Sequence, residues 1–417
     1  MASLSLLGGW TLSGSMAELE PNLKPSCFDR FCKALQIVEV THQSFYDGLT
    51  FKCSAASNKR PLLTAPGDAL NRVRQKYSAM DAKRSGLEFD KTAEKVVMEP
   101  YSYICSTNGK GIRSALVAAF NYWLKVPESV LSVISSVIQV LHNASLIIDD
   151  IEDGSHLRRG KPAAHCIFGV APSINSANYA YFLALEKLSL LERPESVKIF
   201  TEQMLVLHRG QGMDIFWRSS FKCPSESEYE AMVLCKTGGL FSLGVRLMQL
   251  FSENQTDYKP LLDAIGLFYQ IRDDYANLVD LSYHRKKTFA EDLTEGKFSY
   301  PIVRAINDYP DDNQVMNILS QHTSNSSLKL YCVKHLLELG ALEQTVLKLA
   351  KLEERCSQLI VKYGNNPLLS EVIQKLTDLH RTPDGHLRFI TPRDLNYDSF
   401  DHNEISIASG HINPIPK

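Results

Sequence analysis

Two aspartate-rich runs, Asp149-Asp150-Ile151-Glu152-Asp153 and Asp273-Asp274-Tyr275-Ala276-Asn277, each close a long apolar stretch with helical spacing. Leu141, Leu146, Ile147 and Ile148 lead into the first, and Ile265, Leu267, Phe268 and Ile271 into the second. Stretches of this kind face a core, and carboxylates emerging from one are costly to desolvate unless positive charge compensates. Oxygen-bearing side chains at i, i+1 and i+4 project from neighbouring faces of one helical turn, a layout for hard divalent cations. A solvated helix end explains one such run, but two in one chain behind apolar helices point to a site. Together they suit a trinuclear Mg²⁺ centre around a diphosphate.

The remaining pattern is helical almost without interruption. Val130, Val133, Ile134, Val137, Ile138 and Leu141 share one stripe, Tyr179, Phe182, Leu183 and Leu190 another, and Met232, Leu240, Leu243 and Leu247 a third. No alternating segment of strand length accompanies them, so the fold class is all-α, a packed bundle. Breakers at Asn108-Gly109, Gly154-Ser155, Ala171-Pro172, Arg193-Pro194, Cys223-Pro224 and Tyr309-Pro310 delimit the helices. The first acidic run then ends a helix of about 127 to 152, the wrong dipole end for carboxylates by up to about 1 kcal/mol. Residues 1–60 are Ser-rich and read as an arm or linker, 61–380 as the folded domain, and 381–417, opening at Arg381-Thr382-Pro383-Asp384-Gly385, as a polar tail.

Bulk properties narrow the partners. A formal net charge of -2 and a pI near 6.6 exclude the basic footprint of a nucleic-acid binder, so any phosphate chemistry is local. The nine cysteines form no CxxC pair and no zinc spacing, and read as reduced thiols. No Lys or Arg precedes Lys24, and Glu18 and Glu20 fit neither a secretory nor a mitochondrial leader. No apolar run approaches the roughly 18 residues of a membrane span. The expected setting is the cytosol.

Positive groups gather in four places: Gly109-Lys110-Gly111-Ile112-Arg113, Arg158-Arg159-Gly160-Lys161, Lys236-Thr237-Gly238-Gly239, and Lys287 with Lys297 around Glu291-Asp292-Leu293-Thr294-Glu295-Gly296. This supplies two kinds of anion site. A diphosphate bridged to carboxylates by Mg²⁺ is activated as a leaving group, whereas one held only by Lys and Arg is positioned. An enzyme with one of each ionises one substrate and keeps the other intact as nucleophile. No Ser/His/Asp or Cys/His nucleophile system is evident, and none is needed.

The string from Leu141-His142-Asn143-Ala144-Ser145 through Asp153, followed by Leu157-Arg158-Arg159-Gly160, closely resembles the eukaryotic geranylgeranyl diphosphate synthases of the trans-isoprenyl diphosphate synthase family. So do Gly210-Gln211-Gly212-Met213-Asp214, Gln270-Ile271-Arg272-Asp273-Asp274, and Glu291-Asp292-Leu293-Thr294-Glu295-Gly296-Lys297-Phe298. The resemblance is strong from about 88 to 305 and weaker to about 378. It implies the isoprenoid synthase helical bundle around a central cavity, as a homodimer or higher homo-oligomer. It implies about three Mg²⁺ per site on Asp149, Asp150, Asp153, Asp273 and Asp274, with Lys236 also at the reaction centre. Arg158, Lys236, Thr237, Gln270, Asn277, Lys287 and Lys297 would then meet the allylic diphosphate, and Lys110, Arg113, His142 and Arg159 isopentenyl diphosphate. Gln211 and Asp214 line the same cavity. Asn108 and Asn277 depart from the general pattern, where Gly or Pro and Asp are more usual.

The implied reaction is head-to-tail 1'-4 condensation, mainly from farnesyl diphosphate. In this family an aromatic residue four or five positions before the first aspartate stops growth at fifteen carbons. Ser145 and Ala144 are both small, so a twenty-carbon product is expected; Ile138, Tyr179 and Phe182 are candidates for the cavity floor. A class I terpene cyclase would need an NxxxSxxxE second motif, and Leu281 stands where its Ser or Thr belongs. A non-catalytic regulatory subunit would have lost one acidic run, and both are intact.

Overall fold

The computed structural model describes residues 91–107, 111–280 and 288–395. Lys110, Lys287, Leu281 and the proposed arm at 1–60 lie outside them. The chain runs α1 (Lys91–Val97), α2 (Glu99–Cys105), α3 (Ile112–Leu124) and α4 (Glu128–Glu152), then a hairpin of β1 (Leu157–Arg158) and β2 (Lys161–Pro162). It continues with α5 (Ala164–Phe168), α6 (Val170–Ser189), α7 (Pro194–Ser220), α8 (Glu226–Lys236), α9 (Gly238–Gln249) and α10 (Lys259–Val279). The last helices are α11 (Glu291–Glu295), α12 (Tyr300–Asp308), α13 (Gln314–Leu319), α14 (Ser326–Glu338), α15 (Ala341–Lys362) and α16 (Pro367–Gln374). The all-α class expected from the periodicity is the one observed.

Two helices carry the aspartate runs, and both are core helices. α4 starts after Pro127, which cannot donate a backbone bond, and buries Ile134, Val137, Leu141, Ala144 and Ile147. It ends at Asp153, and Gly154 turns the chain at φ +67°. α10 begins with Pro260 in its first turn and buries Leu261, Ile265, Phe268 and Ile271. By length and composition α4, and α8 and α9 taken together, are apolar enough to cross a membrane. Their apolar residues are instead built into the bundle core.

Small residues set the closest approach. α6 lies along α4 with Ser173, Ser176, Ala177, Ala180 and Ala184 all fully buried. At the end of α10 away from its aspartates, Trp123 stacks on Tyr258 at 5.1 Å, and Phe120 and Tyr363 meet the same ring edge-on. This aromatic cluster ties α3, α10 and α15 together, an arrangement worth about 0.5–1.5 kcal/mol per pair beyond burial. α8 and α9 are bent by 45° across Thr237. Beyond α16 the buried Arg272 donates to the Leu376 carbonyl (2.9 Å) and pairs with Asp378 (2.6 Å). Residues 381–395 fold back through an Arg381–Leu387 bridge, and Leu395 is 1% exposed.

Candidate active site

Asp149, Asp150 and Asp153 leave the last turn of α4 in different directions. Successive residues stand about 100° apart round a helix, so i and i+1 cannot face one chamber equally. Asp149 keeps a quarter of its side chain exposed, whereas Asp150 is fully buried. The hairpin explains that burial. Arg159 (φ 56°) and Gly160 (φ 77°) both take positive φ, the two-residue turn that matches strand twist. Arg158 is thereby aimed at Asp150, to which its Nε donates at 2.7 Å, and its Nη2 reaches Asp149 at 3.2 Å. Its neighbour Arg159 points elsewhere, donating to the Thr107 carbonyl (2.9 Å) and hydroxyl (3.1 Å). Two adjacent arginines thus serve two separate places.

One face of α7 supports the same acidic end. Gln211 donates to Glu152 at 2.7 Å and to Asp149 at 3.5 Å. Lys236 donates to Asp214 at 2.8 Å and stands 3.4 Å from Asp149. Gly210 makes this possible: a Cβ there would lie 2.6 Å from the Lys236 nitrogen and 2.8 Å from the Cys235 Cβ. Only a residue without a side chain lets α7 and α8 approach this closely. Burial alone would push the Lys236 ammonium down, but the Asp214, Asp149 and Asp153 charges outweigh it and hold the group cationic. Burial would likewise raise Asp214; Lys236, Arg218 and Lys297 reverse it.

Arg218, which the sequence reading passed over, pairs with Asp153 at 2.7 Å, both side chains under a tenth exposed. Its signal was available: it lies seven residues after Gln211 and four after Asp214, one continuous helical face.

At the second run, Asp274 is an anchor. It accepts from the Tyr229 hydroxyl (2.5 Å), the Tyr300 amide (2.8 Å) and Gln270 (2.8 Å), with Lys297 at 3.4 Å. Asp274 is 1% exposed, while Asp273 is part-exposed. Asn277 is also turned inward, its carbonyl accepting from the Asp292 amide at 3.2 Å. Thr237 donates to Gln270 at 2.6 Å, so the bend between α8 and α9 is tied directly to α10. Ser155, just past α4, donates to Glu295 of α11 at 2.8 Å. Through α11, which meets Asn277 by the Asp292 amide and Ser155 by Glu295, the acidic ends of α4 and α10 join one polar region. Of the expected ligands, Asp149 and Asp273 are part-exposed, whereas the side chains of Asp150, Asp153 and Asp274 are buried against basic or hydrogen-bonding partners.

A second basic pocket lies to the side. Arg113 meets His142 Nε2 at 3.1 Å and sits over the rings of Phe241 (5.8 Å) and Tyr269 (5.9 Å). Burial, then the Arg113, Arg159 and Arg158 charges, push His142 down to about 2, so it is neutral. Below Arg113 an apolar cleft is lined by Leu116, Val117, Ile138, Phe241 and Val245. Ile138, buried in the core, is one of its lining residues. Phe182 is 70% and Tyr179 37% exposed on the outer side of α6. Tyr181, between them, packs edge-on against His208 of α7; burial raises its hydroxyl, and the Glu152 and Asp149 charges raise it further. It lies close enough to the first aspartate run for those charges to act on it.

The donor set fits Mg²⁺. Asp149, Asp153 and Asp273 offer hard carboxylate oxygens. Burial, with Asp149 and Glu295 beside it, pushes Asp153 up to about 7, an excess of acid that a divalent cation would relieve. Among the described residues no three such groups already converge on one coordination point.

The polyprenyl synthetase family model matches residues 94–336. A protein named terpene synthase from Matsumurasca onukii is 50% identical over 70% of this chain and 97% of its own length. Geranylgeranyl pyrophosphate synthases from Dictyostelium discoideum (50% identical, 69% of this chain, 94% of theirs) and Mucor circinelloides f. lusitanicus (46%, 69%, 95%) are similarly related. The chain belongs to the polyprenyl synthetase family of helical-bundle enzymes. Within it the chain is a trans-prenyltransferase.

Proposed function

We propose that this protein makes geranylgeranyl diphosphate by joining isopentenyl diphosphate to an allylic diphosphate, chiefly farnesyl diphosphate. The observation that carries this reading is the pairing of two differently built anion sites. One is the acidic region with Lys236 set between Asp149 and Asp214; the other is the basic pocket of Arg113, His142 and Arg159. The names of the relatives agree with it.

About three Mg²⁺, held chiefly by Asp149, Asp153 and Asp273, would supply the Lewis-acid stabilisation that lets a diphosphate depart. Lys236 and Lys297, kept charged by surrounding carboxylates, add fixed positive charge beside them. Arg158, held against Asp150 and Asp149, would add its charge to the same region, and Thr237 and Gln270 position Asp274 and the helix bend. Arg113 and Arg159 would hold the second diphosphate in place with its C–O bond intact, and the double bond of that substrate would act as the nucleophile. Neutral His142 orients Arg113 by accepting from it. Ser145 lies on the face of α4 that carries Asp149, and a small side chain there leaves room for a lengthening tail.

A homodimer belongs to the same reading. Val170, Ile174 and Phe182 on α6 and Leu205 and Phe216 on α7 are exposed in the single chain, an apolar surface that a second copy would cover. Six free cysteines among the described residues fit a reducing, cytosolic setting.

The test is to incubate purified protein and Mg²⁺ with labelled isopentenyl diphosphate and, in turn, dimethylallyl, geranyl and farnesyl diphosphate. A twenty-carbon alcohol after dephosphorylation is expected, formed fastest from farnesyl diphosphate. No incorporation from any of the three, or release of a cyclic hydrocarbon from one substrate alone, would overturn the proposal.

A further inference from the structure

We infer that Arg218 is a positioning residue for the reaction, acting through Asp153. This rests on the reading of Asp153 as a metal ligand. Three side chains on one face of α7 address the acidic end of α4: Gln211 takes Glu152 and Asp149, Asp214 takes Lys236, and Arg218 takes Asp153. Arg218 differs from the other two in bringing a full positive charge directly onto an aspartate of the run. The ion pair is 2.7 Å long and closed to solvent, with side chains 7% and 6% exposed.

The pair is a poor device for stability. Its Nε and second Nη have no hydrogen-bond partner among the described residues, so a guanidinium is buried with two donors unmet. Buried ion pairs with incomplete partners contribute little or cost stability. What the arrangement does provide is orientation: Oδ1 of Asp153 is drawn to Arg218 by charge, without an aligned hydrogen bond, and the other oxygen is left for a cation. Asp153 also stands among Asp149 and Glu295, whose charges would otherwise swing it away. Arg218 sits where its charge offsets that repulsion.

The test is calorimetric binding of Mg²⁺ with inorganic diphosphate, without turnover, to wild type, Arg218→Gln, Asp153→Asn and the double variant, with thermal melts confirming the fold. Residues supporting a ligand from behind change metal affinity by about 10–100-fold. Arg218→Gln should weaken binding by about that factor, and the loss should vanish when Asp153 is already Asn. Wild-type affinity in Arg218→Gln, or an equal further loss in the Asp153→Asn background, would overturn the inference. If the glutamine variant does not fold, Arg218→Lys is read against Asp153→Asn in the same way. Wild type that does not bind Mg²⁺ and diphosphate at all would instead count against the functional reading itself.

Discussion

Replacing Ser145 by phenylalanine should shorten the product. Ser145 is four residues before Asp149, so it lies about 6 Å deeper along α4 and about 40° round the axis, on nearly the same face. Its hydroxyl does no more than donate to the His142 carbonyl one turn back at 2.9 Å. A phenyl ring there enters the path of a tail growing away from the aspartates. Forcing a twenty-carbon chain past it carries an overpacking penalty of about 1–3 kcal/mol. At about 1.4 kcal/mol per tenfold, that moves the ratio of fifteen- to twenty-carbon product by roughly 5- to 150-fold. Ala144 provides the contrast. Five residues back is about 140° round the helix, and Ala144 is 0% exposed. Phenylalanine there should lower the melting temperature before it alters chain length. The assay is chromatography of dephosphorylated products made from dimethylallyl diphosphate, beside a thermal melt of each variant. An unchanged twenty-carbon product from a folded Ser145→Phe enzyme would refute the argument.

Other changes have equally definite outcomes. Asp149→Ala should leave the helical circular dichroism intact and lower kcat by at least about 100-fold even at saturating Mg²⁺; undiminished turnover would remove Asp149 from the metal site. Gly210→Ala puts a methyl within 2.6 Å of backbone at Lys236. It should cost about 1–3 kcal/mol in chemical denaturation and reduce turnover, because α8 must move away from Asp149. His142, depressed to about 2, is neutral in the folded chain but protonates on unfolding below its ordinary value near 6.5. The unfolded state then binds more protons, so stability falls as pH drops through that value, by about 2 kcal/mol from this group at pH 5. His142→Gln should flatten the pH dependence of unfolding between pH 7 and 5; an unchanged slope would place His142 in a solvated environment.

The bundle was legible because helical periodicity and breakers are local properties. The reading of a helix at about 127 to 152 matches α4 at Glu128–Glu152. The site was legible as residue types but less so as directions. Asp150 and Asp274 carry the right chemistry, and only their partners, Arg158 for one and Tyr229, Gln270 and the Tyr300 amide for the other, show that they face inward. Those partners lie up to 45 residues away in the chain, beyond the reach of any local pattern. Arg218 escaped notice for a related reason, since an arginine near the end of a polar helix looks like a surface group until Asp153 is set against it. The choice of Tyr179 and Phe182 as floor followed apolar spacing on α6, which cannot distinguish a cavity wall from an outward face. Gly210 was seen as part of a motif, but its purpose appears only when α8 is packed against it.

The central claim is that Asp149 and Asp153 on one side and Asp273 on the other share metal-bound diphosphate while Arg113, His142 and Arg159 hold a second one apart. Its most direct test is anomalous diffraction from crystals grown with Mn²⁺, a non-cleavable farnesyl diphosphate analogue and isopentenyl diphosphate. The account predicts manganese peaks between the ends of α4 and α10, with one diphosphate on them and another on Arg113 and Arg159 without metal. Peaks confined to one helix end, or metal at both diphosphates, would contradict it.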